Sequence, residues 1–259
     1  MKRFEDGLSG EDFVEGEVLA VVAGVPVRTS GNAGSYYCAH AWWTLSRWAS
    51  SEVTSVARDP EGDPLIGFLH VPADAETTGD AAGERDRHAA LRAVVARALA
   101  GWLEHLPGPG RILLTGFSTF AGVVNNPTGA FAGDLGEVAR AVTEATGAAA
   151  HADPVTGSVR GRNVEVVAAV LPVNDHALEN SREGSLPELL QRLRPHAVLA
   201  MGVHRGTDHF RVEVVPTSAG LVVEEAGARH STEPGAVERR REVHALARAI
   251  ARGPSLRVG

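Results

Sequence analysis

Apolar runs that alternate with amphipathic stretches do most to narrow what this chain can become. VPVRT (25–29), LIGFLHV (65–71), RILLTGF (111–117), VEVVAAVLPV (164–173), AVLAMGV (197–203) and VEVVP (212–216) read as strands. Several are apolar nearly throughout, the composition a strand needs when both faces of its sheet are covered. Between them lie segments with helical spacing. In 36–49, Trp42, Trp43, Leu45 and Trp48 fall towards one side, and in 88–106 Leu91, Val94, Val95, Ala98, Leu99 and Leu103 do the same. Residues 133–147, 186–195 and 237–253 complete the set. This alternation predicts an α/β fold, a single three-layer α/β/α domain with a mixed, largely parallel sheet. Residues 1–15 read as a loose arm and 16–259 as the domain. Residues 72–86 predict a long acidic loop, and HLPGPG (105–110) a turn-rich connector.

Composition removes several function classes. The chain has 259 residues, 25 Lys+Arg against 32 Asp+Glu, and a formal net charge of −7. That balance argues against a nucleic-acid or anionic-membrane surface as its main business. A single cysteine excludes an internal disulfide framework and a Cys-cluster zinc site; no metal or other cofactor is expected. No apolar run approaches the ~20 residues of a membrane span, and the acidic opening MKRFEDGLSGEDF has no signal-peptide core. The expectation is a soluble, cytoplasmic protein.

The segment RTSGNAGSYYCAHAWW (28–43) carries the most chemistry. A strand ends, a small-residue turn follows, and a helix begins near Cys38. Unpaired N–H groups at a helix N-terminus favour a thiolate and can receive the oxyanion of an acyl-transfer intermediate. The plainer account of Cys38 is a buried small hydrophobe, the usual fate of a free cysteine. A thiolate nucleophile needs a base. Among 11 histidines, His70 alone closes an apolar strand, with Pro72 expected to stop that strand just after it; strand carboxyl ends form the functional edge of α/β sheets. A core histidine bonded to backbone is the plainer account there. His40 is two positions from Cys38 and points to another side of the helix. Phe117 and Phe120, in LLTGFSTFAGVVNNPTG (113–129), read as a hydrophobic cluster beneath a loop, and no phosphate-loop spacing is present.

Together these segments resemble pyroglutamyl peptidase I, a family of cysteine exopeptidases that remove an N-terminal 5-oxoproline. Its GFEPFGG-type loop is matched by Gly116-Phe117-Ser118-Thr119-Phe120-Ala121-Gly122, with Asn126-Pro127 beyond. Its LPV strand end is matched by Leu171-Pro172-Val173, and its KPD-V-I segment by Arg194-Pro195-His196-Ala197-Val198 through Gly202. The nucleophile's SxSAGTYVCN is matched by residues 30–38, ending in Tyr36-Tyr37-Cys38, and the GFIHVP of the family's histidine by Gly67-Phe68-Leu69-His70-Val71-Pro72.

The matches come in rotated order, with Cys38 and His70 ahead of Phe117 and Phe120. This implies a circular permutation, residues 16–105 resembling the family's C-terminal part and 111–235 its N-terminal part. Strand 111–116 should then lie inside the sheet, with neighbours from both sides of HLPGPG. An ungapped count from Gly202 puts Glu213 at the position of the family's triad acid; a gapped alignment puts Phe210 there. The family's downstream arginine has no counterpart in TSAGLVVEE (217–225), and its GQAGGR turn becomes Gly202-Val203-His204-Arg205-Gly206.

The resemblance implies a Cys38–His70–Glu213 triad cleaving a pyroglutamyl amide through a thioester. Phe117 and Phe120 would sandwich the lactam ring, with Tyr36 or Tyr37 nearby and the Val203 backbone reading its amide edge. The partner would be a small peptide or acyl-amide, and the family is commonly homo-oligomeric. The alternatives are a biosynthetic amidase, cyclase or acyltransferase with another acyl group, and a non-catalytic binding protein.

Overall fold

Each long apolar run becomes a strand, and the strands hydrogen-bond into one sheet. The computed structural model describes residues 15–31, 33, 37–49, 64–73, 81–106, 108–120, 123, 125–179, 182–214 and 245–252. Nine strands appear there: β1 (Val18–Val22), β2 (Val25–Ser30), β3 (Leu65–Ala73), β4 (Gly110–Phe117), β5 (His151–Asp153), β6 (Ser158–Gly161), β7 (Val164–Leu171), β8 (Ala197–Arg205) and β9 (Phe210–Glu213). Six helices accompany them: α1 (Tyr37–Ala49), α2 (Ala81–Leu103), α3 (Pro127–Gly133), α4 (Leu135–Thr146), α5 (Leu186–Leu193) and α6 (Ala245–Arg252).

The sheet order is β1-β2-β9-β3-β8-β4-β7-β6-β5. Its four central strands, β3, β8, β4 and β7, run parallel. β9 pairs antiparallel with β3, and β2 runs parallel to β9, so these two approach the centre from the opposite direction. Antiparallel hairpins close both edges. One face packs on α2, α3, α4 and α6 through residues such as Leu99, Trp102, Phe131, Val142 and Ile250. The other packs on α1 and α5 through Trp42, Leu45, Phe68, Leu113, Phe117 and Leu190. The fold is therefore a three-layer α/β/α arrangement around a mixed, largely parallel sheet.

The sequence on either side of HLPGPG shares this sheet, since β3 lies between β9 and β8. Strand β4 is interior as expected, but both its neighbours, β7 and β8, come from downstream. The strands that join the two halves are β2, paired with β9, and β3, paired with β9 and β8.

Several boundaries differ from the sequence reading. Pro72 does not stop β3, which stays paired to β8 through Pro72–His204 and Ala73–Arg205. A proline breaks a ladder only on the side where its N–H is needed, and pairing on the β9 side reaches only Leu69 and His70. Residues 72–86 are not one loop: strand takes the first two and helix everything from Ala81, where Ala and Glu have high helix propensity. β9 begins at Phe210 and ends at Glu213, not at 212–216. Helix α3 was unforeseen because two glycines and a proline suggest a loop. It forms because Pro127 occupies its first turn and the Asn126 side chain caps the Thr128 N–H at 3.1 Å. Most of the arm (1–14), residues 74–80 and residues 237–244 lie outside the described residues.

Candidate active site

The site is assembled by strand register. Side chains alternate faces along a strand, and directly paired residues share a face. On β3, Ile66 and Phe68 belong to the α1/α5 side, so His70 does too. Across the parallel β3–β8 ladder His70 faces Gly202, and across the antiparallel β3–β9 ladder it faces Arg211. Glu213 lies two residues beyond Arg211, on the same face.

Contacts follow from that placement. His70 Nδ1 lies 2.7 Å from Glu213 Oε1, with the two side chains 2% and 0% exposed. The structure thus puts Glu213, and not Phe210, beside the imidazole. Phe210 is buried in the cluster on the opposite face. Cys38, in the first turn of α1, hydrogen-bonds the same ring. With Nδ1 held by Glu213, Nε2 is the nitrogen left for the thiol. Burial pushes the His70 pKa down, but its hydrogen bonds with Cys38 and Glu213 outweigh this and raise it to about 9. A cationic imidazole is thereby held between two groups able to carry negative charge.

Gly202 makes room for the sulfur. A Cβ there would stand 2.5 Å from Cys38 Sγ and 3.2 Å from the Phe68 ring. Sequence inspection did not single out this role, since a glycine in an apolar strand gives no sign of what crosses it. Phe68 packs beside the His70 ring, with ring centroids 5.0 Å apart.

The remaining expected site residues are spread unevenly. Phe117 and Tyr37 pack in the same hydrophobic cluster as Cys38, with Phe117 only 3% exposed. Phe120 sits half-buried in a tight bridge with Val123. The intervening loop is pinned by Phe117 N–H donating to Thr128 Oγ1 (3.1 Å) and Asn126 Nδ2 donating to Ser118 O (3.1 Å). Val203 pairs with Val71 and directs its side chain to the other face. Pairing of β4 with β8 ends at Thr115 and Ala200, which leaves the Val203 backbone beyond the β4 ladder. Tyr36 lies outside the described residues.

Three polar residues to which the sequence reading gave no place beside His70 border the Cys38–His70–Glu213 line. Arg211 Nη1 donates to His204 Nε2 at 2.8 Å, its Nη2 donates to Ser30 Oγ, and its Nε lies 4.0 Å from Glu213 Oε1. The His204 ring meets the His70 ring edge-on, centroids 5.5 Å apart. Burial, and then the neighbouring positive charges of Arg211 and His70, lower the His204 pKa. Among the described residues, no group of three His, Cys, Asp or Glu side chains is placed to hold a metal ion, and no helix is long and apolar enough to cross a membrane.

A nucleophile, a base and an orienting acid in line are the elements of acyl transfer through a covalent intermediate. Comparison with protein-family models, curated proteins and solved structures finds no match to this chain.

Proposed function

We propose that the chain is a cysteine-dependent amide hydrolase of the pyroglutamyl peptidase type. The observation carrying this reading is the line Cys38–His70–Glu213, its imidazole and carboxylate buried, with the sulfur seated over Gly202 at the first turn of a helix. The Cys38 thiolate attacks the acyl carbon, and N–H groups at the helix start receive the oxyanion. The C–N bond breaks as His70 passes its proton to the departing amine, leaving a thioester. Water then attacks the thioester, giving one proton to His70 and releasing the acid and the thiolate. The net reaction is amide plus water to acid plus amine. Phe117, Phe120 and Tyr37 are the apolar groups of the acyl pocket, and the Val203 backbone supplies a polar edge. The interleaving of the two halves in one sheet supports a permuted relation to that family. A working thiol nucleophile fits the reducing cytoplasm.

A second reading keeps the chemistry and changes the acyl group. His204, held by Arg211, stands beside His70 where the resembled GQAGGR turn has a small residue, which favours an acyl group more polar than the lactam.

The test is chromophore release from a pyroglutamyl anilide, run beside a panel of other acyl anilides, with wild type and Cys38→Ala. Release from the pyroglutamyl compound that vanishes in Cys38→Ala supports the first reading. Release only from another acyl anilide supports the second, and absence of Cys38-dependent turnover on the whole panel overturns both.

A further inference from the structure

β4 and β8 lie side by side but part before either ends. Their ladder stops at Thr115 and Ala200, while β4 stays paired to β7 through Phe117–Leu171 and β8 to β3 through Ala73–Arg205. Had the register continued, Phe117 would stand opposite Gly202, the residue over which the Cys38 sulfur sits. The sheet is split there, at the carboxyl ends of two parallel strands, where α/β folds leave room for ligands.

The hydrogen bonds show what parts the strands. Leu65 N–H donates to His196 O at 2.9 Å, which turns the even-numbered residues of β8 to β3 and leaves the odd-numbered ones, Met201 among them, facing β4. Ser118 N–H donates to Leu171 O at 2.8 Å, so on β4 the even-numbered residues face β7 and Phe117 faces β8. In an unbroken ladder the Phe117 N–H would go to Met201 O. It goes instead to Thr128 Oγ1 at 3.1 Å. The same hydroxyl donates to Asn126 Oδ1 at 2.8 Å, and Asn126 Nδ2 donates to Ser118 O at 3.1 Å. Thr128 and Asn126 are both buried. They reach β4 because α3 crosses it at Gly116, where a Cβ would run into Thr128 O.

We propose that the Thr128 hydroxyl, aimed by Asn126, is a positioning group that takes the place of a β8 carbonyl, ends the β4–β8 ladder, and so holds open the cleft between Phe117 and the Cys38 sulfur where the acyl group lies. The occupant of the cleft rests on the hydrolase reading above; the split does not. Without the hydroxyl, Phe117 N–H is a buried donor lacking its acceptor, a costly state, and Met201 O is the acceptor that the register offers. The ladder then extends to Phe117–Gly202 and the strands close to the ~4.8 Å of paired neighbours. The Phe117 side chain, on the face that carries Phe68, moves over the sulfur. Substrate must reopen that ladder before it binds, which raises KM and leaves the chemical step alone.

The experiment compares wild type, Thr128→Val and Thr128→Ser. The kinetic arm uses the acyl anilide of the panel above that wild type hydrolyses. The second arm is the NMR cross-peak between the Phe117 amide proton and the Gly202 α-protons, which are close only in a joined ladder. In Thr128→Val the cross-peak should appear and KM should rise by about tenfold, the scale of one hydrogen bond, with kcat within about threefold of wild type. Thr128→Ser keeps the hydroxyl and should match wild type in both arms. A folded Thr128→Val with wild-type KM overturns the inference. So does a tenfold higher KM in Thr128→Ser, whether or not the valine variant folds. A wild type without Cys38-dependent turnover would overturn the hydrolase reading instead. The cross-peak alone then decides the split: its presence in wild type or in Thr128→Ser overturns the role of Thr128.

Discussion

Gly202 lies directly across the β3–β8 ladder from His70, and the space its side chain lacks is where the sulfur of Cys38 sits. One position thus sets the distance between Cys38 and His70. A Cβ there would be 2.5 Å from Sγ, so Cys38 must rotate away from the imidazole or α1 must lift. Gly202→Ala should fold provided the Phe68 ring, 3.2 Å from that Cβ and so closer than an ordinary contact, gives way by a few tenths of an ångström. Its turnover should fall by about 100-fold, the scale of loss for a reacting group displaced by about 1 Å. Comparing kcat and iodoacetamide reactivity with wild type checks this; unchanged values in both would mean the sulfur does not work from this position.

Glu213 and Phe210 give opposite expectations. Glu213→Gln keeps the shape and removes the charge that orients His70 and stabilises its imidazolium. Turnover should fall by roughly 10³-fold or more, by analogy with amide replacement of a triad acid. Phe210 is buried on the far side of the sheet, and its removal leaves a cavity. Phe210→Ala should lose about 3–5 kcal/mol of stability in denaturant titration, while its folded fraction keeps Cys38 reactivity. A near-wild-type turnover in Glu213→Gln would show that Cys38 and His70 act without it.

Thr115 offers a test of the core beneath the site. It lies on β4 between Leu113 and Phe117, on the face that carries Phe68, and pairs with Ala200. It is 1% exposed, and its hydroxyl has no hydrogen-bond partner among the described residues. An unanswered buried hydroxyl costs about 1–3 kcal/mol, so Thr115→Val, nearly isosteric, should leave stability equal or raise it by about 1 kcal/mol. The denaturant midpoint decides. A loss above about 1 kcal/mol would mean that the hydroxyl is answered within the fold.

What the chain disclosed about itself depended on range. Cys38 at a helix start and His70 late in a strand are local patterns, and both stand where the sequence placed them. Glu213 was reachable only by counting from Gly202, because which residue faces His70 is decided by the antiparallel β3–β9 register. Arg211 was passed over for the same reason, and His204 was noted only as part of an altered turn. A charged residue alternating with apolar ones reads as a solvated face until β9 is known to lie between β2 and β3. Strand β1 was missed because VLAVV follows a polar opening and gains its partner only through the β1–β2 hairpin. Phe117 and Phe120, taken as a pair of aromatic walls, divide into a buried core ring and a half-buried loop ring, a difference in burial that spacing does not encode.

The charge state of His70 ties the geometry to a pH dependence. Burial alone would lower its pKa, so the rise to about 9 comes from the Cys38 and Glu213 hydrogen bonds prevailing. The charged ring therefore holds below about pH 9 and is lost above it. In the proposed reaction the imidazolium is the donor to the leaving amine, so kcat/KM should fall as pH rises through about 9, the limb belonging to the free enzyme's acid. The same value should appear when the His70 ring is followed directly by NMR titration. In Cys38→Ala one of the two supports is gone while burial remains, so the His70 titration should move down towards or below its ordinary 6.5. A His70 that titrates at the same pH in wild type and Cys38→Ala would mean that the thiol and the imidazole do not share a proton, and the line from Cys38 to Glu213 would then be a packing arrangement without the chemistry.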